Sequence, residues 1–297
     1  MKKSMQGSMW LLLATIIWGS SFVSQSIAMA NVGPFTFQAL RCALAVIALL
    51  LIIIVSDRIQ GADFVKRWKD KQLWKAGLLC GLPLFFATNL QQLGLVDVNP
   101  GKSAFLTAMY VIFVPIIGIF RKEKPSRLIP VSVTLAVIGL YCLSCVGVTS
   151  IGKGDLLLLA CAFMFAVQIT FVDKYAQSLD AFRLNLIQAL VCTVLSSIAM
   201  FFIEEPTWAG INASWLPLIH VGVFSMGIAY SLQIIGQKYS KPSTASLIMS
   251  MESVFAVLFS WLVIREQLSV WEAIGCLLVF TAVILSQLPD KKKAAAE

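Results

Sequence analysis

Charge is scarce in this chain. Of its 297 residues only 13% are Asp, Glu, Lys or Arg, while 59% are hydrophobic. A water-soluble protein of this length would have to hide more apolar surface than one or two cores hold, so the soluble classes drop out and a polytopic membrane protein fits. Histidine is nearly missing: His220 is the single one. One imidazole cannot build a metal site or an HExxH motif, and no pair of acids shares an apolar segment, so an intramembrane enzyme has neither a nucleophile and base nor a metal set. No catalytic residue, no metal and no cofactor is expected. The net charge is +8, but no basic stripe with interleaved aromatics accompanies it, so nucleic acid is not an expected partner. The seven cysteines all lie within apolar segments, and none looks like part of a disulfide framework. Cys142 and Cys145 form a CxxC without the polar surroundings that metal or redox chemistry needs.

What the chain does have is long hydrophobic runs. Ten candidate spans follow from length and from the charges, Pro and Gly between them, approximately at 8–29, 35–55, 74–93, 101–119, 128–147, 155–173, 182–203, 215–236, 243–264 and 268–288. The first is read as a span and not as a cleaved leader, because 18–26 is bulky and polar where a cleavage site would be small. The longest connection, Ser56 to Leu73, mixes Phe64 and Trp68 with Lys and Arg, as a short helix lying on the membrane surface would. With the N-terminus placed inside, nineteen Lys and Arg fall on the inner side, Lys102, Lys153 and Arg265 on the outer side, and Arg41 within a span. That bias predicts a multi-pass protein of the plasma membrane with both termini cytoplasmic.

The chain also repeats itself. A shift of 147 lays 7–14 on 154–161 and puts Phe35 on Phe182 and Arg41 on Gln188; a shift of 142 puts Gln91 on Gln233 and Asn99-Pro100 on Lys241-Pro242. Each half holds five spans, an odd number, so the second copy is inverted relative to the first. The expected fold is an all-α polytopic membrane protein of ten transmembrane helices in two inverted five-helix repeats, 1–147 and 148–290, followed by a basic cytoplasmic tail at 291–297.

Trp18-Gly19-Ser20-Ser21-Phe22, Leu106-Thr107-Ala108-Met109-Tyr110 with Pro115, and Met251-Glu252-Ser253-Val254-Phe255-Ala256 running on to Glu266 resemble the EamA family of the drug/metabolite transporter superfamily. The similarity runs over almost the whole chain, once per half. It implies a cavity between the halves and transport of small polar metabolites, often export of amino acids or related compounds. Ser253 departs from the Pro that often follows the ninth-span acid, so the kink expected there from the family does not carry over to this chain.

Glu252 is the first candidate site residue. A carboxylate at mid-depth in a span costs about 2.5 to 3.5 kcal/mol on insertion scales and points to a functional site. On one helical face it stands with Ala245, Ile248, Met249, Phe255 and Ala256. That wall suits a pocket in which the acid pairs a solute amine or exchanges a proton; a structural pair with Arg41, or a hydrogen-bonded acid at a helix contact, is the other reading. Tyr110 is its repeat mate, as a hydrogen-bond donor or as packing. Trp18 and Ser21 share a face with Gln25, which is placed near water, and their mates are Phe165 and Gln168. Trp18 could stack on a quaternary amine. Asn89, Gln91 and Gln92 of the third span, and Tyr230 and Gln233 of the eighth, either glue helices or line a wet cavity. Arg41 could pair with Glu252, bind a solute carboxylate or snorkel. His220 is placed at the interface.

The expected function is a secondary transporter exporting a small polar or zwitterionic metabolite, an amino acid or related amine, by alternating access. The predicted substrate-binding set is Glu252, Tyr110, Trp18, Ser21, Asn89, Gln92, Phe165, Gln168, Tyr230, Gln233, Met249 and Phe255, with Glu252 and Arg41 as proton-coupling or charge pair. An uptake carrier for a cationic solute such as a quaternary amine, or a solute channel, are the alternatives. The expected partners are a small solute and the lipid bilayer, with proton coupling and a homodimer as open options.

Overall fold

In lipid a backbone must satisfy its own hydrogen bonds, and apolar runs of this length do so as helices. In the computed structural model the described residues, 2–122, 126–144, 151–265 and 269–288, form ten such helical spans. They are α1 (Lys2–Met29), α2 (Pro34–Gln60), α3 (Lys71–Asp97), α4 (Pro100–Phe120), α5 (Leu128–Ser144), α6 (Lys153–Ala176), α7 (Ala181–Ile203), α8 (Trp215–Gln237), α9 (Pro242–Val263) and α10 (Val270–Gln287). Nine are long and apolar enough to cross a membrane; the described part of α5 is a shorter apolar helix. Several run beyond the apolar stretch expected from sequence, because polar end residues continue the helix past the hydrocarbon. The tail at 291–297, Glu266 and Cys145 lie outside the described residues.

Two short helices lie between spans. The one expected in the Ser56 to Leu73 connection is Phe64–Trp68, capped by the Asp63 side chain. Sequence reading missed the other, Trp208–Ala213, capped by Thr207.

Successive spans alternate in direction. The face where α1 starts is called the N face here, and the other the far face. The repeat relation holds down to single backbone approaches. A Cβ on Gly7 of α1 would lie 2.9 Å from the Gly236 carbonyl of α8, and one on Gly236 would lie 3.0 Å from the Gly7 carbonyl. Their mates under the shifts of 147 and 142 are Gly154 and Gly94, where the same two distances are 3.2 and 3.1 Å between α6 and α3. Only glycine lets these crossings close so far, once near each face.

α2 and α7 pack on each other, as α5 does on α10. The α2–α7 pair is tied at both ends. At the N face Asp57, ending α2, is buried and bridges Arg183 at the start of α7 and, at 3.1 Å, Arg67. The Arg183 guanidinium also sits 5.7 Å above the Trp68 ring. At the far face Glu204, the mate of Asp57, caps the start of α2: its carboxylate accepts the Phe35 and Thr36 amides at 2.9 and 2.8 Å and the Thr36 hydroxyl at 2.7 Å.

The spans that matter most for the site are broken. α4 is interrupted at Met109, whose amide donates to Leu106 three residues back, and the Ile112 amide donates to Met109 in the same way. α9 is interrupted at Ser250, to which the Ser253 amide donates. The tight turn at Ser250 falls inside the single face from Ala245 to Ala256 expected from sequence, between Met249 and Glu252. α8 is likewise a π-helix from His220 to Ala229.

Candidate functional site

Both breaks open toward the middle of the molecule, where α1, α2, α3, α4, α6, α8 and α9 line one central cavity. Its unfilled space, counted to its open mouth, is about 460 Å³, but it is narrow, with room for about two waters at a time. Its wall carries Trp18, Ser21, Phe22, Gln25, Arg41, Gln91, Tyr110, Phe165, Ile169, Ser225, Tyr230, Gln233, Met249 and Glu252. Each broken helix delivers one of two mates: Tyr110 follows the break in α4, and Glu252 follows that in α9 by two residues. The Tyr110 hydroxyl donates to Glu252 Oε1 at 2.9 Å.

The cavity also holds a cation. Arg41 is 3% exposed and donates from Nη1 to Gln25 Oε1 at 2.7 Å, while Gln25 Nε2 donates to the Ser21 carbonyl at 3.2 Å. Gln25 is thus buried and holds the guanidinium, not at a water-filled end as the sequence suggested. Arg41 and Glu252 are not within ion-pair distance of each other. Three polar atoms of the wall, Trp18 Nε1, Arg41 Nε and Gln233 Oε1, have no hydrogen-bond partner among the described residues. Burying such groups is costly unless something pairs them, so the cavity is built to hold polar contents.

Aromatic rings flank these groups in two pairs, Trp18 with Tyr230 at 5.0 Å between centroids and Phe165 with Tyr110 at 6.4 Å. Gln168 stands one bond behind the wall, accepting from Gln233 at 3.1 Å and donating to Gln188 at 3.0 Å.

Of the residues singled out from sequence, Glu252, Tyr110, Trp18, Ser21, Phe165, Tyr230, Gln233, Met249 and Arg41 meet at this cavity. Asn89, Gln92 and Phe255 do not line it. Asn89 is turned to α7, donating to Ser196 at 3.0 Å; Gln92 is buried behind the wall; Phe255 lies against Gly19 of α1. The amide α3 presents is Gln91, which donates to Thr107 at 3.3 Å. Neighbouring residues of a helix differ by about 100° in direction, and composition alone does not say which of two adjacent glutamines faces inward. His220 sits between Ser20 and Ser24 of α1, at 3.3 and 2.9 Å, as a helix contact.

A vestibule of about 1200 Å³, counted to its open mouth, lies at the N face among the ends of α4, α6 and α8 and the starts of α5 and α9. A depression of about 830 Å³ at the far face is lined from α4, α5, α9 and α10.

The EamA-like transporter family model matches residues 5–145 and again 152–288. An uncharacterized transporter of Archaeoglobus fulgidus is 31% identical over 293 residues, covering 96% of this chain and 87% of its own length. The uncharacterized transporter YoaV of Bacillus subtilis is 22% identical, with 93% and 94% covered. A crystal structure that covers 97% of this chain and 98% of its own superposes with a TM-score of 0.79 at 17% identity, a likeness of fold. These relatives are named transporters, not enzymes. With two family domains filling its two halves, this chain belongs to the EamA-like transporter family.

Proposed function

We propose that the central cavity binds a small zwitterion, an amino acid or related amine, and passes it across the membrane by alternating exposure to the two faces. The observation that carries this reading is one basic and one acidic side chain on one cavity wall: Arg41, held by Gln25, and Glu252, held by Tyr110, set apart from each other. A buried base and a buried acid that do not pair with each other are retained in a membrane at a cost that a ligand bearing both complements removes. A solute carboxylate would take the Arg41 and Trp18 donors, and its ammonium the Glu252 carboxylate and the rings of Trp18 and Tyr230. In the absence of solute Glu252 exchanges a proton, which couples transport to pH. With the N face cytoplasmic, as the distribution of Lys and Arg supports, the wide vestibule loads solute from inside and the direction is export.

The narrowness of the cavity means that solute entry needs the walls to part, as a carrier's must. A thermal-shift screen of amino acids, amines and choline-like compounds against the purified chain identifies a ligand, and counterflow of that labelled ligand in proteoliposomes follows. Saturable counterflow marks a carrier, and its absence with passive flux a channel. Glu252→Gln is expected to abolish the pH dependence, and Arg41→Gln to shift preference toward ligands without a carboxylate. Uptake by Glu252→Gln that matches the parent across a pH series sinks the role given to this acid.

A further inference from the structure

The repeat relation allows the two barriers around the cavity to be compared position by position. Toward the far face the cavity closes on Phe22, Leu95, Ala104 and Ala256, which pack into one buried apolar cluster. Their mates under the shifts of 147 and 142 residues are Ile169, Gln237, Ser246 and Val114. All four are buried, on the N-face side. The places correspond, but the chemistry does not. Where the far seal has Leu95, the near seal has Gln237, whose Nε2 donates to the Ile169 carbonyl at 2.9 Å and whose Oε1 accepts from Gln233 Nε2 at 2.9 Å. Gln233 lines the cavity, and Lys238 to Thr244, which follow Gln237 in the chain, line the N-face vestibule. An amide path thus runs through the near seal to the cavity, whereas the far one holds a single hydroxyl contact in its place, Ser253 donating to the Ala104 carbonyl at 2.9 Å beside the apolar cluster.

A second difference concerns α4 and α6 and their mates α9 and α1; the N face has its own ion pair, Asp57 with Arg183, on α2 and α7. Beyond the far seal Lys102 of α4 holds Asp155 of α6 at 2.7 and 2.8 Å, one contact to each carboxylate oxygen, joining the two repeats. The mates of that pair are Thr244 and Ser8, which carry no charge.

We infer that the two gates of this transporter are unequal, that the N-face gate is the one that opens readily, and that Leu95 and Gln237 set the inequality. Parting the far seal exposes an apolar cluster to water, and an apolar constriction resists wetting. Parting the near seal exchanges amide hydrogen bonds within the protein for equivalent ones to water, which is close to neutral. The inference does not depend on which solute is carried.

The test places a reporter thiol in the cavity, Ser225→Cys, in the full chain with its native cysteines changed to Ala. A membrane-impermeant maleimide is applied from each side of oriented vesicles, a protease-sensitive tag on the N-terminus identifying the N face. Labelling from the N face is expected to exceed that from the far face by about tenfold or more, as for a minor state populated at about 10% or less. Gln237→Leu is expected to slow the N-face reaction and Leu95→Gln to speed the far-face one. Equal rates from both faces, or Gln237→Leu labelled as fast as the parent, overturn the inference. If the cysteine-free chain does not fold, hydrogen exchange of the native chain decides instead. Faster exchange in 237–246 than in 95–104 supports it, and the reverse order or no difference rejects it.

Discussion

Tyr110 and Glu252 are mates across the inverted repeat, and so are Asp57 and Glu204, yet the two pairs have fared differently. Tyr110 and Glu252 meet near the middle of the molecule, 2.9 Å apart, so they form one site and each sees the other's chemistry. Asp57 and Glu204 end the same helix in the two halves and stand at opposite faces. Each is an acid with its own partner: a buried guanidinium for Asp57, and the backbone start of α2 for Glu204. Duplication therefore leaves the ends of the frame with two similar tasks and the centre with a single shared one. At the centre one mate is a donor and the other an acceptor, and that asymmetry is what the proposed site rests on.

The largest effect is expected at the N-face end of that frame. Replacing Arg183 with Ala leaves Asp57 buried and served only by Arg67, which is 42% exposed. Breaking a buried pair from one side typically costs about 3 to 5 kcal/mol. Arg183→Ala should therefore lower the unfolding free energy in detergent more than any far-face substitution below. A loss as small as that of Thr36→Ala would mean that the two ends are held equally and would remove the contrast.

Next come the central mates. A hydrogen bond to a charged group is worth about 1.5 to 3 kcal/mol, so Tyr110→Phe should reduce counterflow roughly 10- to 100-fold while leaving the fold intact. Glu252→Gln should fall at the upper end of that range. The sharper experiment exchanges the two, Tyr110→Glu with Glu252→Tyr. Because the mates touch across the repeat, the exchanged chain should recover transport beyond either single change. No recovery would show that the site depends on which helix carries the acid, and not on the pair alone.

Much of the frame was legible because hydropathy and positional repeats are written directly into residue types. Ten spans, their inverted duplication and the surface helix at Phe64–Trp68 follow from run length, charge placement and shift alone. The breaks at Met109 and Ser250 and the π-helix through His220 carry no such mark, since neither Met, Ser nor the neighbouring Gly residues impose them. They arise from packing between helices that a single sequence does not specify. The site was legible in kind and less so in detail. Glu252 and Arg41 stand out because charge in lipid needs an account. That Arg41 would be held by Gln25 and that Gln91 would face inward in place of Gln92 depend on helix rotation, which an almost uniformly apolar surface hides. The far-face acid Glu204 drew no notice either, because an acid beyond the end of a span reads as an ordinary boundary charge.

That acid gives the smallest of the expected effects and the most direct check on the comparison. Glu204 is partly exposed and serves α2 as a helix cap supplied from another helix, with Gly33 leaving room for its carboxylate beside the chain. Capping and helix-dipole contributions are each about 1 kcal/mol or less. Glu204→Gln keeps one amide acceptor and loses the charge and the second acceptor, so it should cost about 1 kcal/mol. Glu204→Ala should cost somewhat more and free the start of α2, seen as faster hydrogen exchange at Phe35, Thr36 and Phe37, with exchange at the Asp57 end unchanged. If exchange rises equally at both ends, α2 and α7 act as one rigid pair, and the two clasps are two readings of a single interface instead of separate fastenings at the two faces.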